Sequence, residues 1–288
     1  MDNIIYHYCS RTAFLGIVKS KSLWATDLLK MNDPHEVSQG KAIIEELFTE
    51  YFPDSKLIEN RSLFDNSNDL FLSASLSRNG DLLSQWRSYA ADGSGFSIGV
   101  DTKVLLRTNL NPYKSGIPLD VNGLGGVPEF SISEVLYNQE KFIENVRLIL
   151  EDHQKSYGTP SPKGRGMIRS PDIYLHSQLL EMSCLLKSIF YKDEQEVRVF
   201  KTKNRRYVNI NDKTPFFSKH DSIDFLDSNY GIKAFAPIFL TSDSGDQTAV
   251  KRVILGPKNG SDLKDVELFL KSNGFQSVEV SCSAGAYR

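Results

Sequence analysis

Three short stretches carry residue types that could do chemistry. In "YKDEQEVRVF" (191–200), Glu194 and Glu196 stand one residue apart and Arg198 follows two further on, where a helix-like segment gives way to a strand-like one. Side chains two apart share a face of a strand, which predicts both carboxylates and the guanidinium on one side of a late strand. Carboxylates so placed can stabilise developing positive charge and take up a proton. Left in solvent beside an arginine, they would be inert surface charges. "SASLS" puts Ser73, Ser75 and Ser77 on one face of a middle strand by the same period, and "YHYC" puts Tyr6, His7 and Tyr8 on a first strand. The ordinary readings are a solvent-facing serine stripe and a core histidine between tyrosines.

Other chemistries find less support. The histidines (His7, His35, His153, His176 and His220) show no HxxxH or HxH spacing, and Cys9, Cys184 and Cys282 show no ligand or disulfide spacing. No GxSxG, Walker-type GxxxxGK[ST] or GxGxxG motif is present. "LGPKNGSD", before a C-terminal helical pattern, could offer amides to an anion, or is simply a strand-to-helix turn. Lys163, Arg165 and Arg169 punctuate a Gly- and Pro-rich separator that reads as a solvated loop.

The elements that must position these residues follow from periodicity. "NIIYHY" reads as a buried strand, Ser10 caps a helix over "RTAFLGIVKSK", and "SLWATD" is extended before the Asn-Asp-Pro turn of "KMNDPHE". A helix over 35–51, a strand at "DLFLSASLS", an amphipathic helix at "GDLLSQWRSYAADG" and a strand at "GFSIGVD" come next. The span 102–131 is loop-rich, with a strand expected at "SEVLYN". Helices are expected over 139–155 and 173–190, and strands at "EVRVFKT", "RYVNIN", "AFAPIFL" and "VKRVILG". A helix over 262–272 and a terminal strand "SVEVSCS" complete the chain. Strands and helices mix without a strict βαβ rhythm, which predicts an α+β fold in a single domain over 1–288.

The chain of 288 residues is 40% apolar and 24% charged, with a formal net charge of −2, so no global field draws it to nucleic acid or an anionic membrane. The start lacks a signal-peptide pattern and no apolar run is long enough to span a bilayer, which predicts a cytoplasmic protein with no membrane partner.

Together, "YHYCS…LWATD…MNDPHE", "FLSASLS…LLSQWRSYAADGSGFSIGVD", "FYKDEQEVRVF" and the closing "VILGP" with its terminal Tyr and Arg resemble the bacterial family named domain of unknown function 2971, over nearly the whole chain. The order of the three polar clusters is also similar to the ADP-ribosyltransferase pattern, and the opening 24 or so residues look like the nucleic-acid-modifying toxin branch. That resemblance implies split antiparallel β-sheets with flanking helices and NAD as the cofactor-substrate. By it, His7 and the adjoining Tyr8 would bind the dinucleotide, and Ser75 with Ser73 or Ser77 would sit beneath the nicotinamide ribose. Glu196 would accept from that ribose, beside Arg198, and Glu194 would face the acceptor. Asn32 and Asp33 would line the pocket, and Trp24 would stack on nicotinamide or adenine. The acceptor would be nucleic acid or protein. The setting would be a toxin or phage-defence effector, restrained by an antitoxin or neighbouring defence protein.

The pattern departs from that family in mixing a His-type first strand with a Ser-type middle strand. Three other readings stay open: an NAD glycohydrolase, a metal-dependent nuclease using Asp33, Glu36, Glu194 and Glu196, or a non-catalytic nucleotide-sensing or interaction domain.

Overall fold

The β-branched and aromatic run IIYHYC forms strand β1 (Ile4–Cys9). The Ser10 hydroxyl then accepts from the Ala13 amide and caps helix α1 (Arg11–Ser20). Lys21, at φ 52°, ends that helix, and the chain returns as β2 (Ser22–Asp27). There follow α2 (His35–Tyr51), β3 (Asp69–Ser77), α3 (Leu83–Tyr89), β4 (Phe96–Asp101), α4 (Thr102–Thr108), β5 (Ser131–Glu134), α5 (Gln139–Ser156) and α6 (Pro171–Ser183). A 3₁₀ helix (Ile189–Glu194) leads into β6 (Glu196–Asn204), then β7 (Asp224–Leu226), β8 (Lys233–Phe239), β9 (Val250–Leu255), α7 (Leu263–Ser272) and β10 (Glu279–Cys282). The computed structural model describes residues 3–28, 35–53, 69–111, 113–114, 117–118, 127–156, 171–204, 223–228 and 231–285.

These ten strands make one open mixed sheet, and its organising strand is β3. One edge of β3 pairs with β6 along its whole length, from Ser77↔Glu196 to Asp69↔Asn204. The other edge is shared. β1 meets it at Tyr6↔Ser77, and β2 meets it at Thr26↔Ser73 and Asp27↔Leu72. Between those points β1 peels away and β2 joins, so the sheet forks. One limb continues β1–β4–β9–β10 and the other β2–β8–β7, all antiparallel except the β9–β10 pair.

Strand alternation separates two layers. Leu72, Ala74 and Leu76 of β3, Val197 and Val199 of β6 and Ile5 of β1 point into one core with Phe14 and Val18 of α1, Leu105 of α4 and Val266 and Leu270 of α7. On the opposite face, α2, α5 and α6 pack together through Ile44, Phe48, Phe142, Val146, Leu150 and Leu179, and Phe200 of β6 enters that cluster. Ser73, Ser75 and Ser77 therefore lie on the helix-covered face, with Ser73 and Ser77 buried and Ser75 half-buried rather than a solvated stripe.

Several expectations need correcting. The loop-rich span 102–131 begins with α4, which forms because the Asp101 carboxylate accepts from the Lys103 and Val104 amides and Leu105 is buried. The long helix expected to 190 stops at Ser183; the Ser188 hydroxyl then caps the separate 3₁₀ helix. The strand expected at "SEVLYN" lies earlier, at β5. "LGPKNGSD" spends its amides internally, with Gly256 donating to the Gly95 carbonyl and Lys258 to Gly93, so it is a packed turn. "RYVNIN" and the basic separator lie outside the described residues.

The 91–95 turn that feeds β4 is tightly packed: the Gly95 amide donates to the Ala90 carbonyl, and a Cβ at Gly95 would collide with the Cys9 carbonyl oxygen. Gly95→Ala is expected to lower stability by about 1–3 kcal/mol, as overpacking does. In urea unfolding this reads as a lower midpoint at unchanged slope.

Candidate functional site

Where β1 leaves β3, the backbone needs another partner. The His7 ring supplies it: Nδ1 lies 3.2 Å from the Ser75 carbonyl oxygen. A carbonyl can only accept, so Nδ1 carries the hydrogen and, in the neutral ring, Nε2 is left as an acceptor. Burial pushes the His7 pKa below its usual value, against the opposing effect of the Ser75 bond, so the ring is neutral at physiological pH.

The fork opens into a pocket of about 320 Å³, at the small end of the roughly 300–1,000 Å³ typical of small-molecule sites. Its walls come from β1 (Tyr6, His7, Tyr8), β2 (Trp24, Thr26), β3 (Ser73, Ser75) and β6 (Glu196, Arg198), with the 3₁₀ helix and α3 at the rim. The three polar clusters read from the sequence thus meet in one place.

Glu196 is the electrostatic centre. Its Oε1 accepts from Arg198 Nε at 2.8 Å, and its Oε2 accepts from Arg198 Nη2 at 3.2 Å and Lys187 Nζ at 2.9 Å. Lys187 also donates to Glu194 Oε2 at 2.7 Å, and the Tyr89 hydroxyl donates to Glu194 Oε1 at 3.1 Å. Arg198 Nη1 donates to the Cys184 carbonyl. Two carboxylates and two cations cancel. Burial alone would raise the Glu196 pKa, but Arg198 and Lys187 beside it, with hydrogen bonds from Arg198 and Ser75, hold it at about 2.

The backbone holds this centre in place. The Glu196 amide donates to the Tyr137 hydroxyl, the Val135 amide to the Glu196 carbonyl, and the Lys187 amide to the Leu136 carbonyl.

The expected common strand face for Glu194 and Glu196 is incorrect. Glu194 ends the 3₁₀ helix, and Gln195, at φ 47°, turns the chain before β6 begins at Glu196. Strand alternation does not relate the two carboxylates; a shared ammonium does. Lys187 went unmarked in the sequence, although a single charge inside "CLLKSIF" is how a buried, partnered lysine looks. Tyr89 and Thr26 also line the pocket and carried no distinguishing pattern.

Ser77 and Tyr8 are committed to the scaffold. Ser77 Oγ donates to the Glu194 carbonyl at 2.7 Å, and the Tyr8 hydroxyl donates to the Asn79 carbonyl and accepts from the Leu82 amide. Asn32 and Asp33 lie outside the described residues. Among the described residues, no three His, Cys, Asp or Glu side chains gather as a metal site, and burial raises the Cys9 and Cys184 thiols to about 12 and about 11.

Because the folded-state pKa of Glu196 (about 2) lies below its usual 4.5, its contribution to stability is fully present above about pH 4.5 and is lost as pH falls through about 2. The contribution is about 3 kcal/mol. Urea unfolding from pH 7 to 2 is expected to show that loss. Glu196→Gln, which leaves two buried cations undercompensated, should lose about 3–5 kcal/mol at pH 7 and flatten the acid limb. An acid limb of unchanged size in the variant would contradict this assignment.

No curated protein and no solved structure matches the chain. Residues 85–199 match a family model described as "Protein of unknown function (DUF2971)". The matched segment carries Tyr89, Lys187, Glu194, Glu196 and Arg198, so the chain is similar to that family through the part that builds its buried ion network.

Proposed function

We propose that the fork pocket binds NAD and breaks its nicotinamide–ribose bond, passing ADP-ribose to a nucleic-acid or protein acceptor, on a forked sheet akin to the split sheets of ADP-ribosyltransferases. One observation carries the reading: His7, Ser75 and Glu196, the residues the resemblance singles out, reach one pocket from β1, β3 and β6. At about 320 Å³ the pocket admits part of a dinucleotide, and the rest would run over its rim.

The chemistry suits the residues. As the C1′–N bond breaks, its electron pair leaves with the pyridine nitrogen as neutral nicotinamide, and positive charge develops on the ribose. Glu196, ionised above about pH 2, stabilises that charge more in the transition state than in the ground state. Arg198, Lys187 and Ser75 already supply four donors to its carboxylate. A ribose hydroxyl would therefore replace one of them, and Ser75, the neutral partner, is the least costly to displace. Neutral His7 would offer Nε2 to a hydroxyl of the second ribose. The acceptor atom forms the new bond to C1′, and its proton passes to Glu194, the less buried carboxylate. A toxin or phage-defence role, restrained by a partner protein, would fit this activity.

The test is nicotinamide release from NAD by the full chain, with RNA, single-stranded DNA and cell lysate as acceptors, with and without EDTA. Expected are EDTA-indifferent turnover and a loss of about 100-fold or more in Glu196→Gln. Glu194→Gln should retain release to water and lose transfer. Urea midpoints of both variants separate chemistry from unfolding. No release with any acceptor, together with no NAD binding by calorimetry, would overturn the proposal; NAD binding without turnover would instead support a nucleotide sensor.

A further inference from the structure

On the β2 side of the pocket, two features remain unused by the ion network. Ser73 is 1% exposed, lines the pocket, and its hydroxyl has no hydrogen-bond partner among the described residues. A buried hydroxyl left unpaired costs free energy that a paired one does not, so its retention points to a group that arrives from outside. Thr26, its partner across the β2–β3 pairing, lines the same wall. Two residues before Thr26, and so on the same strand face, Trp24 is 48% exposed although it is one of the largest apolar side chains of the chain. Its indole is backed by the Phe235 ring of β8, with centroids 4.6 Å apart and planes at 28°. That stack holds one indole face and leaves the exposed part of the ring beside the pocket.

We propose that this wall is a subsite for a planar heteroaromatic ring with a hydrogen-bonding edge: Trp24 stacks on the ring and Ser73 Oγ pairs with its polar edge. The ring chemistry is shared by a pyridine carboxamide and a purine, and both belong to the ligand proposed above. The inference rests on that reading for its ligand class, but not on any bond being broken. Stacking on an indole already held by Phe235 costs little side-chain ordering, and such contacts tolerate any base with a π-face. The Ser73 hydroxyl, as donor and acceptor, suits either a carboxamide or a ring nitrogen with its amino neighbour.

The chain has two tryptophans, and Trp86 is buried at 1% exposure, so ring stacking should be read from Trp24 fluorescence. Nicotinamide and adenosine are titrated separately against the full chain. At least one should quench saturably, and the one that does identifies the ring. Trp24→Phe should abolish the quench. Ser73→Ala should weaken binding about tenfold, the loss of roughly one hydrogen bond. Its melting temperature should be unchanged or higher, because the hydroxyl has no partner among the described residues to lose. A merely structural serine would lower it. Absence of quenching by both rings, or unaltered affinity in Ser73→Ala, would overturn the subsite. Quenching without nicotinamide release would keep the subsite and sink the reaction; release without quenching would do the reverse.

Discussion

Glu196 can be buried only because Lys187 and Arg198 are buried with it. An isolated carboxylate in such surroundings would protonate or drag water in, and either cation alone would be as costly. The pairing requires three segments at once: β6 for Glu196 and Arg198, the turn after α6 for Lys187 and for the Cys184 carbonyl that receives Arg198, and the segment that follows β5 for the Tyr137 hydroxyl. The helical layer and the sheet are joined through this centre as much as through Phe200 and its apolar neighbours.

The fork is the second constraint, and it explains why polar side chains gather in the pocket. A continuous sheet would satisfy the β3 edge with backbone; here β1 and β2 leave a gap, and His7 fills it. Backbone that is not covered by a strand must be served by side chains, so polar residues collect where the limbs part. His7, Ser75, Glu196 and Arg198 are positioned by the sheet itself rather than by loops, which holds the Glu196 carboxylate steady.

Much of this was legible in the residues. Period-two spacing correctly placed the three serines on one face and Glu196 with Arg198, because both segments are regular strands for their whole length. The buried first strand, the Ser10 cap and most helices followed from patterning. The rest depended on information that periodicity does not hold. Nothing in a strand pattern says that two strands share one edge of a third. The apolar run around Lys187 signals burial but not its partners, Glu194 and Glu196, which lie seven and nine residues on and fold back over it. Gln195 in a left-handed conformation breaks the alternation that would have tied Glu194 to Glu196, and glutamine carries no signal for that geometry. Helix α4 was hidden because its Asn-, Pro- and Gly-rich continuation outweighed a seven-residue helix with a good cap.

The turn at Gln195 makes the two carboxylates mechanically separable. Glu196 belongs to the ladder with β3, and its height above the pocket floor is set by strand register. Glu194 belongs to a short 3₁₀ helix of two turns beginning at Ile189, whose Phe190 is 83% exposed. Lengthening or shortening that helix would relocate Glu194 and the aromatic beside it while the ladder stayed put. The rim of the pocket can therefore be reshaped by changes in the 3₁₀ helix while the buried charge beneath it stays in register with β3.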